Sequence, residues 1–251
     1  MKLGLIGAGN MASALARGIG EPVLVHDIDA PKAETLAAEL GGEAVSAGRV
    51  ADEADVVVLC HKPQQLEDVA EELSGRPRAV ASILAATTTT QIEQAYPDTP
   101  VYRFIPNIPA EVRKGMLCYV PGTLAGEGPE TELLELFGRA GTILRLEQEP
   151  LMEPAMALMS CGPAFMALVA ESFAGAGTEH GLPRDDAMRM AVETMAGTAA
   201  YLAANDWDGP ALRRRVATPG GATERGLMRL EEEGLGGVVR SAVDAVVEGT
   251  R

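Results

Sequence analysis

The stretch GLIGAGNMASAL, residues 4–15, decides how this chain is read. The apolar run Leu3–Ile6 reads as a short strand, and the small and apolar spacing from Asn10 onward reads as a helix. Between them Gly7, Gly9 and Ala12 stand in a GxGxxA arrangement. A glycine triplet alone is weak evidence. Set between a strand and a helix, it has the context in which a dinucleotide-binding turn works. Gly7 allows the tight turn, Gly9 lets the backbone approach a pyrophosphate, and Ala12 keeps the helix close to the strand. The helix start then offers free N–H groups and a positive dipole end to the phosphates. The competing reading is an ordinary strand–turn–helix with incidental glycines.

Working outward, a second strand at Val23–His26 ends at Asp27, twenty positions after Gly7. Two readings of Asp27 stand open. It accepts hydrogen bonds from the ribose hydroxyls and repels a 2′-phosphate, which favours NADH, or else it or Asp29 simply caps the next helix. His26 reads as structural or adenine-flanking. A third strand, Asp55–Cys60, is followed by His61-Lys62-Pro63. Ligands of a doubly wound sheet lie outside the carboxyl ends of its strands, which makes Lys62 a candidate cofactor contact. A solvated loop lysine is the plain alternative.

Further strands are expected at Ala79–Leu84, Val101–Ile105 and Met116–Val120. Helices are expected near residues 10–18, 31–40, 64–73 and 89–96. Asp29 is placed to cap the second of these, Pro31 suits its first turn, and Gly41-Gly42 ends it. Strands alternating with helices and lacking in–out polarity imply a mostly parallel sheet covered on both faces. After Leu151 the pattern is helical only, with Gly-Pro, Gly-Leu-Pro and Asp-Gly-Pro breaks. The expected fold is therefore α/β. Residues 1–150 form a Rossmann-type doubly wound sheet that binds a dinucleotide, and residues 151–251 form an all-helical substrate-binding and dimerisation domain. Met166, Val169, Phe173 and Ala176 recur at spacings of three and four, the stripe of a helix with one buried face. A helical domain of this size and apolarity suggests a homodimer or higher homo-oligomer.

Composition removes other classes. The chain has 251 residues, 47% of them hydrophobic, and a formal net charge of −15. Such a polyanion is a poor partner for nucleic acid or an anionic membrane. Residues 154–170 carry no charge, but Ser160 and Gly162-Pro163 interrupt them, pointing to a buried or interface helix rather than a membrane span. Cys60, Cys118 and Cys161 form no CxxC pair, and His26, His61 and His180 have no ligand spacing, so neither disulfides nor a metal is expected. With no secretory pattern at the start, a cytoplasmic location is expected. The lysines are Lys2, Lys32, Lys62 and Lys114, with none after position 114.

The segment VATPGGATERGL, residues 216–227, breaks the helical half at Pro219-Gly220-Gly221 and restarts it at Ala222-Thr223. The N–H groups of such a turn suit a carboxylate. Thr223 either offers a hydroxyl at that pocket or is only the helix N-cap.

Taken together, GAGNMA at 7–12, HKP at 61–63, FIPNIPAEVRKGM at 104–116, SCGPAF at 160–165 and ATPGGATERGL at 217–227 resemble the pyrroline-5-carboxylate reductases, which catalyse the last step of proline synthesis. The resemblance covers essentially the whole chain. It implies that Ile6, Gly7, Gly9, Asn10, Met11 and Ala12 hold NAD(P)H, with Lys62 and Pro63 flanking it. It implies that Asn107 lines the nicotinamide end and the substrate, and that Pro219, Gly220, Gly221, Ala222 and Thr223 hold the substrate carboxylate, Thr223 as the catalytic residue near the ring nitrogen. The resemblance allows NADPH, whereas Asp27 leans towards NADH. The chain departs from the family pattern at Ala85-Ala86, where Ala-Gly is usual, and at Ile108 and Phe165. These departures leave room for a paralogue acting on a related imine. A β-hydroxyacid dehydrogenase-like enzyme relies on a lysine in the helical domain to move a proton at a substrate oxygen, and this chain has none there. A non-catalytic NAD(P)-binding regulator is the remaining alternative.

Overall fold

The computed structural model describes residues 1–249. The chain forms two compact units that meet in sequence between Pro163 and Ala164.

The first unit is built on eight strands: β1 (Leu3–Ile6), β2 (Val23–His26), β3 (Glu43–Ala44), β4 (Val56–Leu59), β5 (Val80–Ser82), β6 (Val101–Ile105), β7 (Gly115–Pro121) and β8 (Gly141–Arg145). Their order in the sheet is 3-2-1-4-5-6-7-8. Strands β1 to β6 are parallel; β7 runs antiparallel to β6, and β8 lies parallel to β7. Six helices accompany them: α1 (Asn10–Ile19), α2 (Ala30–Leu40), α3 (Ala47–Glu53), α4 (Leu66–Leu73), α5 (Thr89–Ala95) and α6 (Glu130–Phe137).

The continuous apolar strands have a simple cause. Side chains alternate between the faces of a strand, and here both faces are covered. Val56 and Val58 join Leu3, Leu5, Val25 and Phe104 in one core. Val57 and Leu59 join Ile6, Leu24, Val80 and Ile92 in the other. Each such side chain contributes roughly 1.5–3 kcal/mol when fully buried. Gly4 lacks a side chain because a Cβ there would collide with Val50 of α3.

Three local expectations change. Strand β3 has only two exposed residues and β8 is largely exposed, so neither carries the apolar run that marks the central strands. Asp29 occupies the N-cap position of α2 but makes no capping hydrogen bond; its carboxylate is drawn 2.9 Å from Lys32 Nζ instead. The left-handed Gly41 ends α2 as expected.

The first unit also extends beyond the boundary expected at residue 150. Residues 151–163, which include α7 (Met152–Ala155) and a π-helical turn at Met156–Ser160, pack with it. A long-range hydrogen bond ties them back, from Asn107 to the Met159 carbonyl, and just before them Glu149 is held by Arg103 and Thr89.

The second unit consists of α8 (from Gly162–Glu179), α9 (Arg184–Ala203), α10 (Gly209–Val216), α11 (Ala222–Glu232) and α12 (Leu235–Gly249). Its buried side chains are small: Ala170, Ala174 and Ala187. The stripe Met166, Val169 and Phe173, expected on a buried face, is exposed in the single chain. Periodicity identifies an apolar face, not what covers it. The helical stretch Glu149–Glu179 is long and apolar enough by length and composition to cross a membrane, and the π-turn interrupts its regularity.

Candidate functional site

The glycine turn between β1 and α1 adopts the geometry its sequence requires. Gly7 has a φ of +109°, and a Cβ on it would lie 2.7 Å from the carbonyl of Cys60. Gly7 therefore serves the fold. Gly9 differs: it is the extended N-cap of α1, and a Cβ there would meet no protein atom within 4 Å. No side chain caps the helix, and its first turn holds no acidic residue. The N–H groups of that turn face an open space suited to an anion.

That space belongs to a cleft of about 440 Å³ at the carboxyl ends of β1, β2 and β4. Ile6, Gly7 and Gly9 form its floor; Asp27, Ile28, Asp29 and Lys32 border it from the end of β2, and His61 and Lys62 from the end of β4. The sheet order thus brings together Gly7, Gly9, Asp27 and Lys62 from three chain segments. Pro63 opens a 3₁₀ turn directly after Lys62, and Asn10, Met11 and Ala12 begin α1. Ala12 is buried, as its packing role requires.

Asp27 caps no helix. Its Oδ2 accepts from the Ala8 N–H at 2.7 Å and its Oδ1 from the Asp29 N–H at 2.8 Å. The carboxylate clamps the glycine turn to the β2–α2 loop, and each oxygen keeps a lone pair for a ribose hydroxyl. Lys62 is exposed, and its backbone N–H is held by Gln65. His26 lines the cleft as well, and its Nδ1 lies 3.1 Å from the Val45 carbonyl, so the structure is compatible with both its structural and its adenine-flanking reading.

Ile28 and His61 are among the lining residues that the sequence reading did not place in the site. Ile28 is 89% exposed and puts an apolar surface at the rim of the cleft. His61 donates from Nδ1 to the Lys62 carbonyl at 2.9 Å, the only role a carbonyl partner permits. Its Nε2 is buried without a partner, and burial pushes the imidazole pKa below its ordinary value. The one available signal was its place beside Lys62. Ala86, where the family pattern has glycine, lies at a φ of +50°, a left-handed conformation that glycine adopts more readily.

Asn107 follows β6 and is buried. Its Nδ2 donates to the Met159 carbonyl at 2.8 Å, and its Oδ1 accepts from the Met116 N–H at 2.9 Å.

In the second unit, the loop Pro219-Gly220-Gly221 leads into α11, with Gly221 as its extended N-cap and Gly220 at a φ of +72°. Thr223 is therefore not the cap. The loop N–H groups expected to face an anion are engaged internally. Gly220 N–H donates to Glu224 Oε2 at 2.7 Å, and Gly221 N–H to the Thr218 carbonyl at 2.9 Å. Arg225 holds the Gly220 carbonyl at 2.8 Å. The donors left for an anion are one step later, the N–H groups of Ala222 and Thr223 in the first turn of α11. Thr223 is exposed, and its hydroxyl has no partner among the described residues. Of the arginine triplet, Arg213 pairs with Glu231 at 3.2 Å and Arg215 lies over the Tyr201 ring.

Residues 149–251 match the family model described as pyrroline-5-carboxylate reductase dimerisation. Residues 2–86 match that of the coenzyme F420-dependent NADP oxidoreductases. The pyrroline-5-carboxylate reductase of Glycine max is 32% identical over 99% of this chain and 94% of that protein. The chain belongs to the pyrroline-5-carboxylate reductase family. The solved reductase of Coxiella burnetii superposes with a TM-score of 0.89 at 26% identity, covering 99% of this chain and 96% of that one. The pyrroline carboxylate reductase of Plasmodium falciparum, solved with NADP bound, gives 0.86 at 25% identity, covering 100% and 97%. Membership in this family makes the chain an NAD(P)-linked oxidoreductase with a dimerisation region at its carboxyl end.

Proposed function

We propose that the protein reduces 1-pyrroline-5-carboxylate to proline with NADH. The observation that carries this reading is the pairing of an uncapped α1 start above a side-chain-free Gly9 with free N–H groups and an unpartnered hydroxyl at Ala222-Thr223. One site suits a pyrophosphate and the other a small carboxylate.

Bound NAD(P)H supplies a hydride from C4 of its nicotinamide to C5 of the substrate C=N bond. The chain's part is binding and orientation. The α1 start, with Ile6, Asn10 and Met11 around it, holds the pyrophosphate, Lys62 and Pro63 flank it, and Ile28 offers an apolar surface to the adenine. Ala222 and Thr223 N–H groups hold the carboxylate, with Pro219, Gly220 and Gly221 shaping their loop, and the Thr223 hydroxyl orients the ring nitrogen. A C=N substrate protonated in solution needs no general acid from the protein, in keeping with a helical half that has no lysine. Carbonyl reduction would need such a donor. The exposed apolar stripe of α8 is the surface through which two copies pair.

Oxidation of NADH and NADPH is to be followed separately with pyrroline-5-carboxylate and purified protein; no oxidation of either removes the proposal. NADH is expected to give the higher kcat/KM. Lys32 is already paired with Asp29, leaving the Asp27 carboxylate unneutralised at the ribose edge. Asp27→Asn removes one negative charge while keeping an acceptor for a backbone N–H. It should move the NADH:NADPH ratio towards NADPH by roughly tenfold, about 1.4 kcal/mol. An unmoved ratio would take Asp27 out of cofactor selection. Thr223→Ala should lower kcat/KM for the imine by roughly tenfold, the worth of one hydrogen bond in the site, with NADH affinity within about twofold. Unchanged turnover would exclude Thr223 from the reaction.

A further inference from the structure

The π-turn at Met156–Ser160 has a local cause and a distant support. In a regular α-helix the Met159 carbonyl would accept from the N–H of residue 163. Residue 163 is proline and has no N–H. The backbone instead closes a wider turn, Cys161 N–H donating to the Met156 carbonyl five residues back at 3.0 Å. The Met159 carbonyl is left to a side chain, and Asn107 Nδ2 reaches it at 2.8 Å. The same amide accepts from Met116 at the start of β7 at 2.9 Å, with Asn107 only 7% exposed. An amide is needed for both bonds at once, because an aspartate has no donor for a carbonyl and an aliphatic side chain has neither group.

Asn107 also stands at a telling place. It follows β6 at the sheet edge where β1, β4 and β5 end, the edge that carries the glycine turn and Lys62. Four residues earlier on the same strand, Arg103 holds Glu149 at 2.7 Å. One strand and its following loop thus grip the outgoing segment at two points. π-turns inside helices are concentrated at working sites.

We propose that Asn107 is a positioning residue. It replaces the hydrogen bond that Pro163 denies to Met159, and in doing so fixes the loop after β6 and the π-turn as one unit beside the cofactor edge. It acts on hydride transfer through that loop rather than as a direct ligand of cofactor or substrate. This rests on the reductase reading for its kinetic consequence, but the hydrogen-bond part stands independently of it.

The test is a double-variant cycle of Asn107→Ala and Pro163→Ala in the full chain, read by urea midpoint and by steady-state kinetics with NADH and pyrroline-5-carboxylate. Alanine at 163 returns an N–H to the Met159 carbonyl. Asn107→Ala alone is expected to lower the midpoint and to lower kcat at least fivefold, with KM for NADH within twofold. In the Pro163→Ala background the same change should lower kcat less than twofold and lower the midpoint by a clearly smaller amount, the remainder being the Met116 N–H that still loses its acceptor. If Asn107→Ala alone fails to fold, the double variant is expected to fold. Equal losses in both backgrounds, or a double variant that stays unfolded, would overturn the proposal. So would a raised KM for NADH with kcat unchanged, since that marks a direct ligand. Asn107→Asp, which lacks the donor, should not restore kcat. Absence of turnover in the unaltered protein would remove the reductase reading, while the midpoint cycle would still decide the hydrogen-bond claim.

Discussion

Gly9→Asp is expected to leave the protein as stable as before, or slightly more so, while weakening cofactor binding by at least roughly 100-fold, about 2.7 kcal/mol. The two effects have separate causes. Gly9 is the N-cap of α1 with φ −71° and ψ 176°, extended backbone that any residue adopts. A Cβ there meets no protein atom, so folding has nothing to resist. Aspartate is a better N-cap than glycine by a few tenths of a kcal/mol, and its charge suits the positive end of the helix. The same carboxylate then engages the N–H groups that a pyrophosphate needs and repels it. Thermal unfolding and an NADH titration, run on the same preparation, check both halves. Binding within about threefold of the unaltered protein would show that the phosphates lie elsewhere. Gly7 provides the contrast: with φ at +109° and the Cys60 carbonyl against it, substitution there damages the fold first.

Glu149→Ala is expected to destabilise the protein by about 3 kcal/mol, because it strands a buried cation. The Arg103 side chain is 4% exposed, and its Nη1 lies 2.7 Å from Glu149 Oε1. Its Nε is already without a partner. The same carboxylate oxygen also receives the Thr89 N–H and hydroxyl at the start of α5, at 2.5 Å and 2.7 Å. A urea unfolding series measures the loss. A cost no larger than that of an exposed pair such as Lys2–Glu53, up to about 1 kcal/mol, would show that Arg103 finds another partner. Replacing both Arg103 and Glu149 by apolar residues should cost less than Glu149→Ala alone. The pH dependence has a definite sign. Burial alone would raise the Glu149 carboxyl, but the Thr89 N–H and hydroxyl and the Arg103 guanidinium outweigh it and hold the pKa below the ordinary value. The stabilisation is therefore complete above the unfolded glutamate range, near about 4.3, and is lost as the pH falls through the depressed folded value.

Much of the cofactor half was legible in sequence because its signals are local. A turn residue, an all-apolar strand and a helix stop each fit within a few neighbours, and Gly7, Val56–Leu59 and Gly41 behave accordingly. Strand β8 was illegible because its exposed position in the sheet demands no apolar run. Asp29 shows a competition that spacing cannot settle: a capping side chain was drawn off by Lys32 three residues on. The carboxylate loop was legible as a helix break and restart, but which of its N–H groups remain free was not. That depended on Glu224 and Arg225 folding back on Gly220.

The sequence by itself determined the α/β-then-helical order, the glycine turn, the placement of Asp27 at the end of β2, and a helical half without lysine. These follow from backbone preference and side-chain chemistry, which neighbouring residues carry. The tertiary structure alone decided that Arg103 meets Glu149 across 46 positions, that Asn107 meets Met159 across 52, and that the α8 stripe stays uncovered in one chain. Such contacts depend on which strands lie side by side and on where the outgoing segment returns, and no local spacing encodes that.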